Sequence, residues 1–128
     1  MNKKANNIIR IPTSIKGDFF RYWLMFLKPF HHLTDRQIDV VVCFLKYRHE
    51  LEKVIIDNDV LDSVLMNEDS KRKVREECGI SLTHFQITMG KLKQNNVIVD
   101  GKFNSKFIPK LVEGDKSFQL MLYFDLDD

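Results

Sequence analysis

The side chains best suited to chemistry in this sequence are the basic residues of segment 71–93. Six basic residues stand there against only two acidic ones, Glu76 and Glu77; the six are Lys71, Arg72, Lys73, Arg75, Lys91 and Lys93. Lysine and arginine neutralise phosphate groups and release the counterions of nucleic acids. The formal net charge is only +2, so the whole chain has no strong basic field. The pattern predicts a local basic surface or, as the alternative, solvated helix faces that pair with nearby acids.

Charge alternates in blocks along the chain. Residues 1–28 carry six basic residues against Asp18, whereas residues 50–69 carry seven acidic residues against Lys53. The order basic, acidic, basic indicates that different surfaces of one molecule carry opposite charge.

The remaining polar residues do not form a recognisable catalytic or metal site. His31 and His32 are adjacent and point in different directions, and the segment at Asp57–Asp59 lacks the glycine and closing glutamate of a calcium loop. Catalytic triads, Gly-rich phosphate loops and paired carboxylates are not evident either. We therefore expect a protein that is not an enzyme and has no cofactor, metal or small-molecule substrate.

The cysteines and the apolar segments favour a cytoplasmic protein. Cys43 and Cys78 lie in apolar-periodic segments, which predicts buried free thiols in a reducing compartment. The most apolar run, Phe19–Phe30, is interrupted by charged residues and is too short to cross a bilayer. We expect no membrane association.

Two helices must position the basic residues. The pattern predicts a helix over Lys71–Cys78, a turn over Gly79–Ser81 and a second helix over Leu82–Asn95. Glycine ends a helix at little cost, and serine is a good N-cap. The apolar residues repeat at helical spacing on one face of each predicted helix; they are Val74 and Cys78, then Phe85, Met89 and Leu92.

The preceding sequence predicts an arm and two further helices. Residues 1–16 read as a basic arm that either docks on the protein or touches nucleic acid or a second subunit. Asp18 is a candidate N-cap for a helix that ends before Pro29, and its aromatic residues, which fit either the core or an oligomer interface, are Phe19, Phe20, Trp23 and Phe26. Thr34 and Gln37 have the spacing of a capping box, which predicts the central core helix.

After the second helix of the pair, the period changes from helical to alternating. We predict strands over Val97–Val99, Lys106–Val112 and Ser117–Phe124, with turns at Asp100-Gly101 and Glu113–Lys116. This order predicts an α+β fold in which helices precede a C-terminal β-hairpin wing. The predicted single domain spans residues 17–128, with the helix pair at about 71–95 and the wing at about 97–124.

Residues 34–124 resemble the winged helix-turn-helix family of DNA-binding domains. The matching positions are Val74, Cys78-Gly79-Ile80-Ser81, His84-Phe85, Met89, Leu92 and Asn96-Val97-Ile98. The run Leu33–Gln37 also resembles the opening of helix-turn-helix regions in small terminase subunits, and the small, Asn/Lys/Ile-rich chain suits a phage or mobile-element protein. The resemblance implies binding of double-stranded DNA in transcription regulation, replication or DNA packaging, in the host cytoplasm or a virion.

The resemblance also implies which residues contact DNA. The face turned to the major groove comprises Ser81, Leu82, Thr83, Gln86, Ile87 and Gly90, and the phosphate contacts fall to Lys71, Arg72, Lys73, Lys91, Lys93, Lys102 and Lys106. Leu82 and Ile87 are apolar where the family often carries polar residues. The alternative function is therefore a protein–protein or structural component, for example a phage virion protein, that forms homo-oligomers or binds another protein.

Overall fold

A computed structural model of the chain describes residues 7–127 and is mostly helical. It has six helices and one antiparallel two-stranded sheet, in agreement with the α+β prediction at that level: α1 Phe19–Phe26, α2 Lys28–His31, α3 Asp35–Glu52, α4 Asn58–Leu65, α5 Glu68–Cys78, α6 Leu82–Gln94, β1 Ile98–Val99 and β2 Lys102–Phe103. A 3₁₀ turn follows at Ser105–Phe107. In the described part of the chain, no helix combines the length and the apolar character that crossing a bilayer requires.

Helix α3 is the centre of the core. The predicted capping box fixes its start, because the Thr34 hydroxyl accepts from the Gln37 backbone N–H at 3.3 Å and the Gln37 side chain accepts from the Thr34 N–H at 2.9 Å. Helices α1, α4, α5 and α6 all lie against α3. Its buried residues are Ile38, Val40, Val41, Val42, Phe44 and Leu45.

The N-terminal helix begins differently from the prediction. The Asp18 side chain makes no capping hydrogen bond; the Ser14 carbonyl instead accepts from the Phe19 N–H at 3.1 Å. Pro29 occupies the first turn of the short helix α2, where a missing N–H costs little. Residues 7–14 of the predicted arm are exposed and have no helix or strand, and residues 1–6 lie outside the described residues.

Most of the aromatic surface of α1 packs inside the molecule. Phe20 and Trp23 are buried in the core, and the Trp23 indole N–H donates to the Phe107 carbonyl at 2.9 Å. Phe19 packs edge-on against Phe118, with ring centroids 5.2 Å apart. These contacts join α1 to the segment that follows the hairpin.

The sheet is a tight hairpin directly after α6. Ile98 pairs with Phe103 and Val99 with Lys102, around the predicted turn at Asp100-Gly101. Both turn residues have positive φ, 54° and 76°, as a type I′ turn requires. The first predicted strand and its turn are therefore confirmed, and the strand that completes the hairpin lies at Lys102–Phe103.

The predicted strands at Lys106–Val112 and Ser117–Phe124 are wrong. The N–H groups of Phe107 and Ile108 bond to the carbonyls of Asn104 and Ser105, and Pro109 has no N–H, so the first segment uses its donors locally. The second segment has an alternating sequence but finds no neighbouring strand within residues 7–127. Because a strand needs a hydrogen-bonded partner, alternation alone does not produce one.

His31 is a buried neutral histidine that joins α2 to the core. Its Nε2 lies 2.7 Å from the Leu24 carbonyl, and its Nδ1 accepts from the Leu33 N–H at 3.0 Å. This geometry assigns the proton to Nε2. Burial lowers the pKa of His31 from 6.5, and the nearby charges of His32 and Lys28 lower it further, against the opposing effect of the Leu24 carbonyl.

His31 should therefore make the folded protein less stable in acid. The unfolded chain binds the proton more readily, so the stabilisation is complete above pH 6.5 and is lost as the pH falls from there through the lower folded-state pKa. Urea denaturation at a series of pH values measures this. We expect the free energy of unfolding to fall more steeply on acidification in the parent chain than in His31→Gln; equal slopes would contradict the assignment.

Candidate nucleic-acid interface

Local hydrogen bonds fix the turn between α5 and α6. Gly79 ends α5 in the left-handed conformation, with φ 64°, and the Ser81 hydroxyl accepts from the His84 N–H at 3.1 Å to cap α6. Asn67 caps the start of α5 through the Ser70 N–H at 2.8 Å. The two predicted helices and their turn are confirmed, although α5 begins three residues before the predicted Lys71.

The inner sides of both helices hold them on the core. Val74 is buried on α5, and Phe85, Met89 and Leu92 are buried on α6. The rings of Phe85 and Phe44 of α3 lie 6.1 Å apart. The apolar stripes predicted from helical spacing therefore face inward, and the opposite side of α6 is left to solvent.

The outward side of α6 contains the six residues expected to meet a major groove. All of them are exposed, and they are Ser81, Leu82, Thr83, Gln86, Ile87 and Gly90. Leu82 and Ile87 expose 55% and 58% of their surface, so this side has a substantial apolar component. The Ser81 hydroxyl already caps the helix. Thr83 and Gln86 can offer new hydrogen bonds, and the Ser81 hydroxyl can still donate one.

The surface around α6 is free of negative charge from its own sequence. Between Glu77 and Asp100 the chain contains no Asp or Glu, whereas Lys91 and Lys93 lie within that stretch. A polyanion that approached α6 would meet no carboxylate from these residues. The sequence itself shows this stretch, residues 78–99, because it contains no Asp or Glu. The absence of acidic residues, rather than the number of basic ones, is the signal.

Two of the predicted phosphate-binding residues pair with acids on their own helix. Lys71 lies 3.7 Å from Glu68, and Arg72 lies 3.1 Å from Asp69, one turn earlier on α5. Such exposed pairs contribute little to stability, but they partly neutralise the charge offered to a partner.

The other predicted basic residues fall into two groups. Lys73 lies over the Tyr47 ring at 5.6 Å, and Lys106 lies over the Phe30 ring at 5.0 Å, so aromatic faces hold both ammonium groups. The second group consists of Lys91, Lys93 and Lys102, which are exposed and form no ion pair with any residue between 7 and 127.

The hairpin carries one of these three lysines, Lys102. Ile98 and Phe103 form the buried cross-strand pair, and Val99 and Lys102 form the exposed one. The two faces of the hairpin thus separate the residues that attach it to the core from those it offers to a partner. Lys102 lies on β2, which packs against α4, whereas β1 packs against α6. The hairpin turn also carries the exposed Asp100, whose charge offsets that of Lys102.

The residues expected at an oligomer interface do not share one surface. Phe20 and Trp23 are buried within the chain and Phe19 is half-buried, whereas Phe26 is 46% exposed. Tyr22, Met25 and Phe30 are the exposed apolar neighbours of Phe26 in sequence.

No group of three or more His, Cys, Asp or Glu residues in segment 7–127 is arranged to hold a metal ion. Comparisons with protein-family models, curated proteins and solved structures found no match.

Two glycines in this unit should respond oppositely to alanine. A Cβ at Gly79 or Gly90 would have no atom within 4 Å, so the pair differs in backbone conformation rather than in space. Gly90 lies in a helix, and Gly90→Ala should raise the free energy of unfolding by about 0.5–1 kcal/mol. Gly79 has φ 64°, and Gly79→Ala should lower it by about 1–2 kcal/mol. Urea denaturation measures both, and changes of the same sign would contradict this account.

Proposed function

We propose that this chain is a winged helix-turn-helix domain that binds double-stranded DNA mainly through phosphate contacts. In this proposal α5 and α6 are the helix-turn-helix, the β1–β2 hairpin is a short wing, and α6 enters the major groove. The observation that carries it is the outward side of α6, which is exposed and contains no acidic residue. Lys91 and Lys93 near the end of α6, and Lys102 on the hairpin, form no ion pair with any residue between 7 and 127. The role would lie in transcription regulation, replication or DNA packaging.

The phosphate contacts are assigned first to Lys91, Lys93 and Lys102. These three need not give up an ion pair within segment 7–127 to meet a phosphate, whereas Lys71 and Arg72 would leave Glu68 and Asp69 without their cations. Lys73 and Lys106 would leave aromatic faces. This ranking supports binding centred on α6 and the hairpin, with α5 at its edge.

Base recognition by α6 would be limited. Gln86 can pair with an adenine edge, and Leu82 and Ile87 can contact thymine methyl groups. Thr83 can donate to or accept from either type of base pair. Because phosphate contacts carry no sequence information, these few side chains support modest sequence preference on top of strong backbone binding.

DNA binding should depend on salt and on the three unpaired lysines. Each lysine that contacts a phosphate contributes about 0.9 to the slope of log K against log salt. Changing Lys91, Lys93 and Lys102 to Ala should therefore reduce the magnitude of that slope by up to about 3 and weaken binding at low salt. Fluorescence anisotropy with a duplex oligonucleotide, repeated over a salt series, measures both quantities.

The matched control changes three basic residues of equal charge elsewhere. Arg36, Lys110 and Lys116 are exposed, form no ion pair with any residue between 7 and 127, and lie outside α5, α6 and the hairpin. Their replacement by Ala should leave the slope nearly unchanged. An equal loss of binding in both triple variants would mean that only net charge matters. The proposal fails if the parent chain binds no duplex at low ionic strength.

The second candidate function, a protein-binding or assembly component such as a phage virion protein, is favoured by the C-terminal segment. After Phe118, which packs on Trp23 with ring centroids 5.6 Å apart, the chain presents a run of exposed apolar side chains. They are Leu120, Met121, Leu122, Tyr123, Phe124 and Leu126, and Phe124 is 82% exposed. An alternating segment of this kind can add a strand to the sheet edge of another protein or of a second copy.

Self-association through this segment has a charge-matched test. Leu122→Lys with Phe124→Lys should shift an oligomer towards monomer in light scattering, because exposed apolar surface is replaced by charge. Ser117→Lys with Gln119→Lys adds the same charge in the same segment and should leave the oligomer intact. A parent chain that is monomeric at all concentrations, or equal effects of both variants, would contradict self-association through these side chains.

A further inference from the structure

The two cysteines of the chain meet between α3 and α5. Their sulfur atoms lie 2.8 Å apart, although 35 positions separate the residues in sequence. Both thiols are free and half-buried. Cys43 lies within α3, and Cys78 is the last residue of α5, immediately before Gly79. The sequence predicted two buried free thiols; their contact with each other could not be read from periodicity.

A cavity gives small molecules access to Cys43. It has a volume of about 430 Å³ and is lined by Cys43, Tyr47, Lys73, Val74, Glu76 and Glu77. A peroxide molecule is far smaller than this space. The wall of the cavity carries charges of both signs: the Lys73 ammonium group lies over the Tyr47 ring, and Glu76 and Glu77 are acidic.

The hydrogen bond between the thiols makes them unequal. The Cys78 S–H donates a hydrogen bond to the Cys43 sulfur, which lowers the pKa of Cys43 against the opposing effects of burial and of Glu77. Donation to Cys43 and burial raise the pKa of Cys78. Cys43 lines the cavity, whereas Cys78 does not, and the hydrogen bond favours the thiolate of Cys43; both observations favour Cys43 as the attacking sulfur.

We propose that Cys43 and Cys78 are a peroxide-sensitive thiol pair that oxidises reversibly to a disulfide between α3 and α5. The Cys43 thiolate attacks one oxygen of hydrogen peroxide, the O–O bond breaks, and the departing hydroxide takes a proton to become water. The product is a sulfenic acid on Cys43. The Cys78 sulfur then attacks the Cys43 sulfur and loses its proton, the S–O bond breaks, and a second water leaves. The two electrons removed from the thiols reduce the peroxide.

The fold can accept this bond with little movement. The sulfur atoms must approach from 2.8 Å to about 2.0 Å. Cys78 ends its helix, and no turn of α5 follows it that would resist the adjustment. The bond would join the first helix of the proposed DNA-binding unit to the central core helix. It would also constrain the unfolded chain, which stabilises the native fold.

Treatment of the folded chain with a small excess of hydrogen peroxide tests the proposal. Thiol titration in denaturant should fall from two thiols per chain to none, and the intact mass should fall by about 2 Da because two hydrogens are lost. The product should be monomeric on a non-reducing gel and should return to two thiols with dithiothreitol. Sulfinic acid on Cys43 beside a free Cys78, or disulfide-linked dimers as the main product, would overturn it.

The same reaction in urea tests whether the fold brings the sulfurs together. Unfolding removes the enforced contact, so intramolecular disulfide formation should slow by at least about tenfold. An equal rate in the folded and unfolded chains would overturn the proposal. This comparison uses the parent chain and does not depend on how any variant folds.

Single substitutions separate the roles of the two thiols. With Cys78→Ser, Cys43 should be oxidised without a partner and proceed to sulfinic acid; with Cys43→Ser, the Cys78 thiol should persist. Oxidation should raise the Tm of the parent chain by about 10 °C. It should not raise the Tm of either single-cysteine variant, because neither can form the bond. A lower or unchanged Tm of the oxidised parent would show that the bond does not fit the native fold and would overturn the proposal.

Discussion

Burial of α3 is the constraint on which the rest of the structure depends. Three consecutive valines, Val40–Val42, are buried, and successive side chains on a helix point about 100° apart. Helix α3 must therefore be covered on several sides, and α1, α4, α5 and α6 supply that cover. The cost of β-branched residues in a helix is offset by this burial. Because α6 contributes only one side to the cover, its other side stays exposed to solvent.

Signals that lie within a few residues predicted the helical part well. The Thr34 capping box, the Gly79 turn and the Ser81 cap each involve groups two to four residues apart, and the structure contains all three. The outward side of α6 followed from the same local information, since the inward positions Phe85, Met89 and Leu92 define its opposite. Local hydrogen bonds and helical spacing are what a sequence expresses most directly.

Contacts between residues that are far apart in the chain could not be predicted from the sequence. Alternation in Ser117–Phe124 is typical of a strand, but no neighbouring strand exists within residues 7–127. The burial of Phe20 and Trp23 depends on α3 and on the Phe107 carbonyl, which lies 84 positions after Trp23. The contact between Cys43 and Cys78 likewise arises only once α5 lies on α3. In each case the sequence pattern shows the local character of a residue or segment, but not which distant residues it contacts.

The charges of α5 and α6 differ in how far they are neutralised within their own helix. The acidic residues Glu68 and Asp69 lie in the first turn of α5, where they interact favourably with the positive end of the helix dipole. They also pair with Lys71 and Arg72. Much of the basic character of α5 is thus satisfied within the helix. Helix α6 has no acid of its own, and Lys91 and Lys93 lie in its last turn, at the negative end of the dipole. Helix α5 has more basic residues than α6, four against two, but its four acidic residues bring its formal net charge to zero, whereas that of α6 is +2. In the proposed function, DNA would therefore be attracted to α6 rather than to α5, while Asp100 in the hairpin turn offsets the charge of Lys102.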